Sequence, residues 1–359
     1  MLLFLAKTKG YIIKGRGAQY NPKNDFLKHE YSRMHDEGID LPTDEKKATE
    51  IIYELPQKIV NKVNSPDLEM KYSINPYQGC EHGCVYCYAR NTHEYWGFSA
   101  GEDFETKLIV KKNTQAILEK QLQSTSWLVE SIVLSGNTDC YQPIENNFKL
   151  TRGLLKVLHR YKHPTEIITK NALVIRDIDI LKPMAALNLS LVNISITTLD
   201  ENLRRMMEPR TSSIANRFKA VEVLSSHHIP VNVMIGPIIP GLNDHDIPKI
   251  IEKAAASGAK SVSYNTVRLN GTVGPIFEQW INQALPNKAK KVLNQIKGIH
   301  GGQLNNPDFG TRMRGTGPIA QAIDRIFKIS YDRHFPVKYD KSLSKTHFIR
   351  TKKGQLPLF

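Results

Sequence analysis

The sequence has little acid. Asp and Glu number 35 against 49 Lys and Arg in 359 residues, a formal net charge of +14. An excess of that size favours a polyanionic partner, most often nucleic acid. Long apolar runs are missing too. No stretch approaches the length needed to span a bilayer, so a membrane partner is not expected. The opening Met1–Ala6 is apolar but brief, and Lys7-Thr-Lys9 follows without a cleavage-site pattern, so no signal peptide is read and a cytoplasmic location is expected. Cysteine is scarce: there are four, three of them within eight residues and the fourth at position 140. A disulfide framework needs spread pairs and a secreted context. A tight cluster points to metal instead. No internal repeat is visible beyond a strand–helix period, and no low-complexity block.

Forty per cent apolar and 23% charged residues fit a soluble globular chain with a sizeable core. Residues 1–67 are polar and irregular, with turn chemistry at Gly15-Arg-Gly17 and Asn21-Pro-Lys-Asn24, and read as an arm wrapping the core. Within it, Ala48–Val60 is expected to form a short strand or helix. From Tyr72 onward, short Ile- and Val-rich segments alternate with amphipathic ones. The strand candidates are Tyr72–Asn75, Ser131–Ser135, Glu166–Thr169, Leu191–Thr197, Val231–Ile238 and Ser261–Val267. The helix candidates between them are Thr114–Gln123, Lys149–Tyr161, Ile178–Leu187, Ala215–Ser226 and Ile247–Ser257. Such alternation predicts an α/β fold with a parallel sheet and crossover helices, across residues 68–273. Six units suggest a partial barrel or a strongly curved sheet; the strand pattern alone does not separate this from a doubly wound open sheet. Residues 274–336 read as a helical extension, with helices at Phe277–Ala284, Asn287–Ile296 and Ile319–Ile329, and a polar loop at 301–317 that carries Arg312 and Arg314. The tail, 337–359, is rich in lysine and reads as a flexible basic linker.

The chemistry concentrates in Cys80-Glu-His-Gly-Cys84-Val-Tyr-Cys87. Three thiolates on one loop can each bind one iron of a cubane and leave the fourth iron open. The competing reading is zinc, with His82 or Cys140 completing a tetrahedron. Zinc sites more often pair two Cys-x2-Cys units, and no second pair is present.

Cys-x3-Cys-x2-Cys with aromatic Tyr86 before the last cysteine resembles the signature of radical S-adenosylmethionine (SAM) enzymes. The flanking run from Ser73-Ile-Asn-Pro-Tyr-Gln-Gly-Cys80 to Tyr88-Ala-Arg90 is similar to the branch related to spore photoproduct lyase. So are Gly136-Asn-Thr-Asp139, Tyr141-Gln-Pro-Ile-Glu145, Ile168-Thr-Lys170, Ser195-Ile-Thr-Thr198, Met207-Glu-Pro-Arg210, Pro237-Ile-Ile-Pro-Gly-Leu-Asn-Asp244 and the run ending at Gly315. The resemblance implies a partial (β/α)6 barrel, a [4Fe–4S] cluster on Cys80, Cys84 and Cys87, and reductive cleavage of SAM to a 5′-deoxyadenosyl radical. It also implies a reductase or a flavodoxin- or ferredoxin-type electron donor. It places Tyr86 near the adenine, and Gly136, Asn137, Thr138 and Asp139 at the methionyl amine. Lys170 would face the SAM carboxylate, Ser195 the ribose or carboxylate, and Gly236 and Ile238 the adenine edge. In spore photoproduct lyase a cysteine at the end of the second strand returns hydrogen to the product radical. The matching position here is near Gly136, which has no thiol, and Cys140 is the candidate substitute, set against a buried inert thiol. Cleavage of a thymine dimer is therefore less firmly implied than cleavage of SAM.

The last five residues, Gln355-Leu-Pro-Leu-Phe359, resemble the peptide by which bacterial proteins dock on the DNA sliding clamp, through Gln355, Leu356, Leu358 and Phe359. The expected function is thus a radical SAM enzyme acting on DNA, as a repair-like lyase or a base modifier. The alternatives are action on RNA or protein and, in another class, a zinc-stabilised nucleic-acid-binding protein without catalysis.

Overall fold

A computed structural model describes residues 15–24, 26, 48–68 and 70–350. The terminal clamp-like peptide, Gln355 to Phe359, lies outside the described residues.

The first strands among the described residues are β1 (Glu50–Glu54) and β2 (Val60–Lys62), so Ala48–Val60 supplies a strand rather than a helix. β3 (Tyr72–Ile74) and β4 (Tyr77–Gln78) lead into the cysteine loop, and a 3-10 helix follows at Tyr88–Trp96. Next come α1 (Asp103–Thr106), β5 (Lys107–Lys111), α2 (Thr114–Leu122), β6 (Ile132–Leu134), α3 (Glu145–Phe148), α4 (Leu150–Arg160), β7 (Thr165–Thr169), α5 (Ile178–Ala186) and β8 (Ser190–Ser195). The rest is α6 (Glu201–Met207), α7 (Ile214–Ser226), β9 (Val231–Ile238), α8 (Ile247–Ala256), β10 (Ser261–Thr266), α9 (Val273–Ala284), α10 (Pro286–Ile299) and α11 (Gly317–His334).

β3, β6, β7, β8, β9 and β10 pair in parallel and in sequence order, and β2 adds an antiparallel edge beside β3. These six parallel strands are the six expected from the sequence. Among the described residues β10 does not pair with β2 or β3, so the sheet is open, as a partial (β/α)6 barrel is. The central strand β8, Ser190–Ser195, is buried along its whole length. A strand covered on both faces cannot alternate polar with apolar, which is why it reads as a continuous run. The helices bury one stripe each; in α4 that stripe is Leu154, Leu155, Val157 and Leu158. The core joins this stripe to Ile74, Leu134, Ile167, Val192, Val233 and Ile251. A second sheet of β1, β5 and β4 packs to one side. Among the described residues no helix is long and apolar enough to cross a membrane.

The tail departs from the expected flexible linker. Residues 337–350 have no regular structure, yet they are fastened down. Ser344 N–H donates to the Asn188 carbonyl, Ile349 N–H to the Tyr161 carbonyl and Lys341 Nζ to Asn232 Oδ1. Phe348 stacks on Tyr161, and Lys345 pairs with Glu130. Of the lysines that suggested a solvated linker, Lys341 finds an amide oxygen and Lys345 a carboxylate, and Phe348 supplies an apolar anchor.

Candidate functional site

The cysteine loop runs from Gly79 to Cys87, directly after β4. Its backbone is largely committed. Cys80 N–H donates to the Phe104 carbonyl, Cys87 N–H to the Cys84 carbonyl, and Val85 N–H to the Met207 carbonyl. Gln142 spans the loop, accepting from Glu81 N–H and donating to the Gly79 carbonyl. Gly83 sits at φ +66° with Glu105 close against it, a conformation that a side chain rarely adopts.

Beneath the loop lies a fully buried ion pair. Arg90 binds Glu105, and both side chains have no exposed surface. Arg90 Nε also donates to the Cys84 carbonyl, and its Nη1 to the Ala100 and Gly101 carbonyls. Glu105 accepts in addition from Gly17 N–H at 3.0 Å and Ala18 N–H at 2.8 Å. The N-terminal segment is thus laced onto the cysteine loop through one carboxylate. A Cβ at Gly17 would lie 1.7 Å from the Gly83 oxygen, so only glycine permits this approach. In the sequence Arg16 and Gly17 read only as turn chemistry, Arg90 only as part of the run that carries the resemblance, and Glu105 carried no reading.

The three thiols are free. Burial raises the pKa of each, and the neighbouring thiols add to the rise at Cys80 and Cys84. Three sulfurs held together in this way are unfavourable as thiolates unless cationic metal joins them, which fits an iron–sulfur cluster. A single-ion zinc site fits less well. Among the described residues no three His, Cys, Asp or Glu side chains, the three cysteines included, are drawn in around one ion, so the choice turns on the candidate fourth ligands. His82, a possible fourth ligand, is engaged at both ring nitrogens, with Asp139 at 3.4 Å and Asn171 at 3.4 Å. Cys140, the other candidate, is fully buried in the main core. Its backbone N–H donates to Ser135 Oγ and its carbonyl accepts from Thr151. Burial, then the nearby Asp139, pushes its thiol pKa well up. The thiol available for returning hydrogen therefore has no open surface.

On the other side of the loop a second buried hub forms around Glu208. Tyr86 and Thr197 hydroxyls donate to one carboxylate oxygen and Arg217 Nη2 to the other. Burial alone would raise the Glu208 pKa. Arg217, Lys170 and the hydroxyl donors outweigh it and hold the group at about 2. Tyr86 is pushed well above its ordinary value by burial and by Glu208. Arg217 reaches on to the Ser195 carbonyl. Lys170 Nζ donates to the Gly236 carbonyl at 3.3 Å and lies 5.9 Å from the centre of the Tyr86 ring. The structure thus brings together Tyr86, Lys170, Ser195 and Gly236 at the C-terminal ends of the strands. Glu208 and Arg217 were missed as a pair although only nine positions separate them: Glu208 caps the end of α6, and Arg217 lies in the first turn of α7.

The other expected residues line the ends of β6 and β9. Gly136 offers its carbonyl to Tyr88 Oη at 2.8 Å. Asn137 donates from its side-chain amide to Thr92 and Gln78 and from its backbone N–H to Asn75 Oδ1. Thr138 donates to the Tyr77 carbonyl. Asp139 accepts from Thr169 and from the backbone N–H groups of Tyr141 and Lys170. With those donors and His82 satisfied, its carboxylate orients the loop. Ile238 is buried, and its carbonyl receives Val267 N–H.

Comparison with known proteins agrees with this picture. A profile of the Radical SAM superfamily matches residues 74–254. An uncharacterised protein of Mycobacterium tuberculosis is 34% identical over 230 residues, 63% of this chain and 68% of that protein. One of Methanocaldococcus jannaschii is 32% identical over 195 residues, 54% of this chain and 70% of that protein. Spore photoproduct lyase complexed with dinucleoside spore photoproduct shares the fold at a TM-score of 0.59 and 16% identity, over 82% of both chains.

Proposed function

Because this chain belongs to the radical SAM superfamily and is a radical SAM enzyme, we propose that it acts on DNA, as a repair-like lyase or a base-modifying enzyme. The observation that carries the enzymatic part is the convergence of Cys80, Cys84 and Cys87 on one loop at the C-terminal ends of six parallel strands. In α/β sheets ligands bind at that end. The DNA part is supported by the net charge of +14. It is supported also by the fold shared with spore photoproduct lyase, whose structure holds a dinucleoside photoproduct. The terminal peptide, if it docks on a sliding clamp, would concentrate the enzyme at DNA.

Cys80, Cys84 and Cys87 would hold a [4Fe–4S] cluster, and SAM would lie between them and the strand ends. When bound, this pair supplies a carbon radical able to take a hydrogen atom from an unreactive position, fed by a flavodoxin- or ferredoxin-type donor. The chain's own residues do the positioning. Lys170 presents an ammonium to a carboxylate at the end of β7. Tyr86, fixed by Glu208, gives a flat face above the loop. The Gly236 and Gly136 carbonyls offer acceptors to an ammonium or an amino group. Apolar Val85, Leu203 and Met207 close the loop from behind and keep water out.

The test is anaerobic reconstitution with iron and sulfide, reduction with dithionite, and assay of 5′-deoxyadenosine from SAM, with Cys84→Ala beside it. Deoxyadenosine from the intact protein and none from the variant is the expected result. A protein that takes up zinc and releases no deoxyadenosine would overturn the assignment of the loop. Screening of damaged DNA against RNA for stimulated deoxyadenosine formation then tests the substrate class.

A further inference from the structure

The free edge of β10 ends in Asn265-Thr-Val-Arg268-Leu-Asn270. The loop between α10 and α11 runs alongside it. Thr266 N–H donates to the Met313 carbonyl and Leu269 N–H to the Leu304 carbonyl. This loop carries the arginines noted in the sequence. Arg312 is matched: it binds Asp67 and Ser65, and its guanidinium lies 4.2 Å from the centre of the Phe309 ring. Arg314 lies 3.7 Å from the centre of the Tyr264 ring, beside Asp324.

Arg268 is different. Its Nε is buried and has no partner. Its Nη1 reaches only the Met313 sulfur at 3.4 Å, a weak acceptor. Burial, then Arg312, depresses its pKa, and Asp67 offsets this only in part. Arginine does not escape by losing its proton, so a half-buried guanidinium without an acceptor is costly. His300, close enough to feel the charge of Arg268, also has a buried ring nitrogen without a partner, Nδ1, and Asn265 and Asn270 on the same segment as Arg268 each have a buried, unpartnered Oδ1. The ring of Tyr88, half exposed, lies near Arg268, and its hydroxyl donates to the Gly136 carbonyl at the end of β6. Phe309 is exposed on the loop beside Arg312.

An unmatched cation, polar atoms lacking partners and two exposed aromatic faces at one rim suit an anionic ligand carrying planar rings. We infer that Arg268 binds a backbone phosphate of the nucleic-acid substrate, with Tyr88 and Phe309 as stacking faces for the flanking bases. This rests on the DNA reading above. The same guanidinium could take the SAM carboxylate. Lys170 already serves an anion deeper in the site, above Tyr86, whereas Arg268 stands among the exposed rim residues, so phosphate is favoured.

The test uses the reconstituted full chain and a fluorescent single-stranded DNA oligonucleotide, with affinity measured over a range of salt. Arg268→Gln should weaken binding about tenfold at low salt and reduce the salt slope by about 0.7, the share of one phosphate contact. Lys219→Gln, which removes an equal charge on the outer face of α7, should change neither. Arg268→Gln should also melt no lower than the intact protein, because it removes an unmatched buried charge; a purely structural arginine would melt lower. Phe309→Ala should weaken binding without changing the salt slope. If the intact protein binds the oligonucleotide and Arg268→Gln binds it equally, the subsite is wrong and the DNA reading stands. If only SAM affinity falls, Arg268 serves the SAM carboxylate instead. If the intact protein does not bind DNA at all, the DNA reading falls and takes this inference with it.

Discussion

Glu105→Gln is the sharpest test of how the cysteine loop is held. Glu105 and Arg90 are both fully buried, and Glu105 accepts from Arg90, Gly17 N–H and Ala18 N–H. Glutamine keeps the shape but turns one acceptor oxygen into an N–H donor. Whichever way the amide faces, it sets a donor against a donor and leaves Arg90 without its counter-charge. Removing one partner of a buried pair costs about 3–5 kcal/mol, against a total stability on the order of 5–15 kcal/mol. The loss should fall first on the loop, because Arg90 also holds the Cys84 carbonyl. The measurements are guanidinium unfolding of cluster-free protein and iron retained per chain after reconstitution. The expected result is a drop of that size with iron content well below that of the intact protein. Gly17→Ala gives a second handle without touching charge, since its Cβ would meet the Gly83 oxygen at 1.7 Å; it should reproduce the iron loss. A loss under about 1 kcal/mol with full iron retention in Glu105→Gln would mean that the pair relaxes without the loop, and the reasoning would fail.

Two further expectations concern Glu208 and Cys140. Glu208 is depressed from an ordinary 4.5 to about 2, so its stabilisation is complete above 4.5 and is lost as pH falls through about 2. The drop corresponds to about 3 kcal/mol. Glu208→Gln should therefore be less stable than the intact protein by about that much at neutral pH in urea unfolding, with the gap shrinking to under half near about pH 3; a constant gap would show that the carboxylate charge is not what matters. Cys140→Ala should cost about 1–2 kcal/mol for the small cavity left in the core, with deoxyadenosine formation unchanged. A variant that cleaves SAM but no longer completes turnover of its nucleic-acid substrate would instead make Cys140 the hydrogen donor.

The parallel core was legible because its strands are short, carry Ile or Val and alternate with amphipathic helices, and because β8 and most of β9 are covered on both faces. Val231–Ile238 was read to the residue. The side sheet was not. β4 is two residues long, and β5 is Leu108-Ile-Val110 between lysines, too short to separate from a loop near the cysteines. In the site, the cysteine spacing is local and was visible. The partners that fix it are not local: Gly17 and Ala18 meet Glu105 nearly ninety positions away, and Tyr86 meets Glu208 across 122. The stretch Met207-Glu-Pro-Arg210 was noted for its resemblance, but nothing in it announces that Glu208 is buried, since a lone Glu in a polar turn is ordinarily solvated. The tail misled through its lysines, whose partners Glu130 and Asn232 lie far back along the chain.

The two buried ion pairs flanking the cysteine loop are best understood through what they do not provide. A buried pair gains little stability over well-packed apolar residues of the same size, because desolvating both charges offsets their attraction. Arg90–Glu105 and Arg217–Glu208 are therefore poor choices if stability is their purpose. What each does provide is a set of directional bonds to atoms that an apolar side chain could not hold. Arg90 fixes the carbonyl of Cys84, the middle cysteine. Glu208 fixes the hydroxyl of Tyr86, the residue between the second and third. Each pair is neutral in sum, so it adds no net charge beside sulfurs that must ionise together. Lys170 differs from these paired groups: its charge works against the burial-driven rise of the Cys84 and Cys87 pKa values, and its ammonium donates to the Gly236 carbonyl rather than to a carboxylate. Holding the loop thus falls to the neutral pairs.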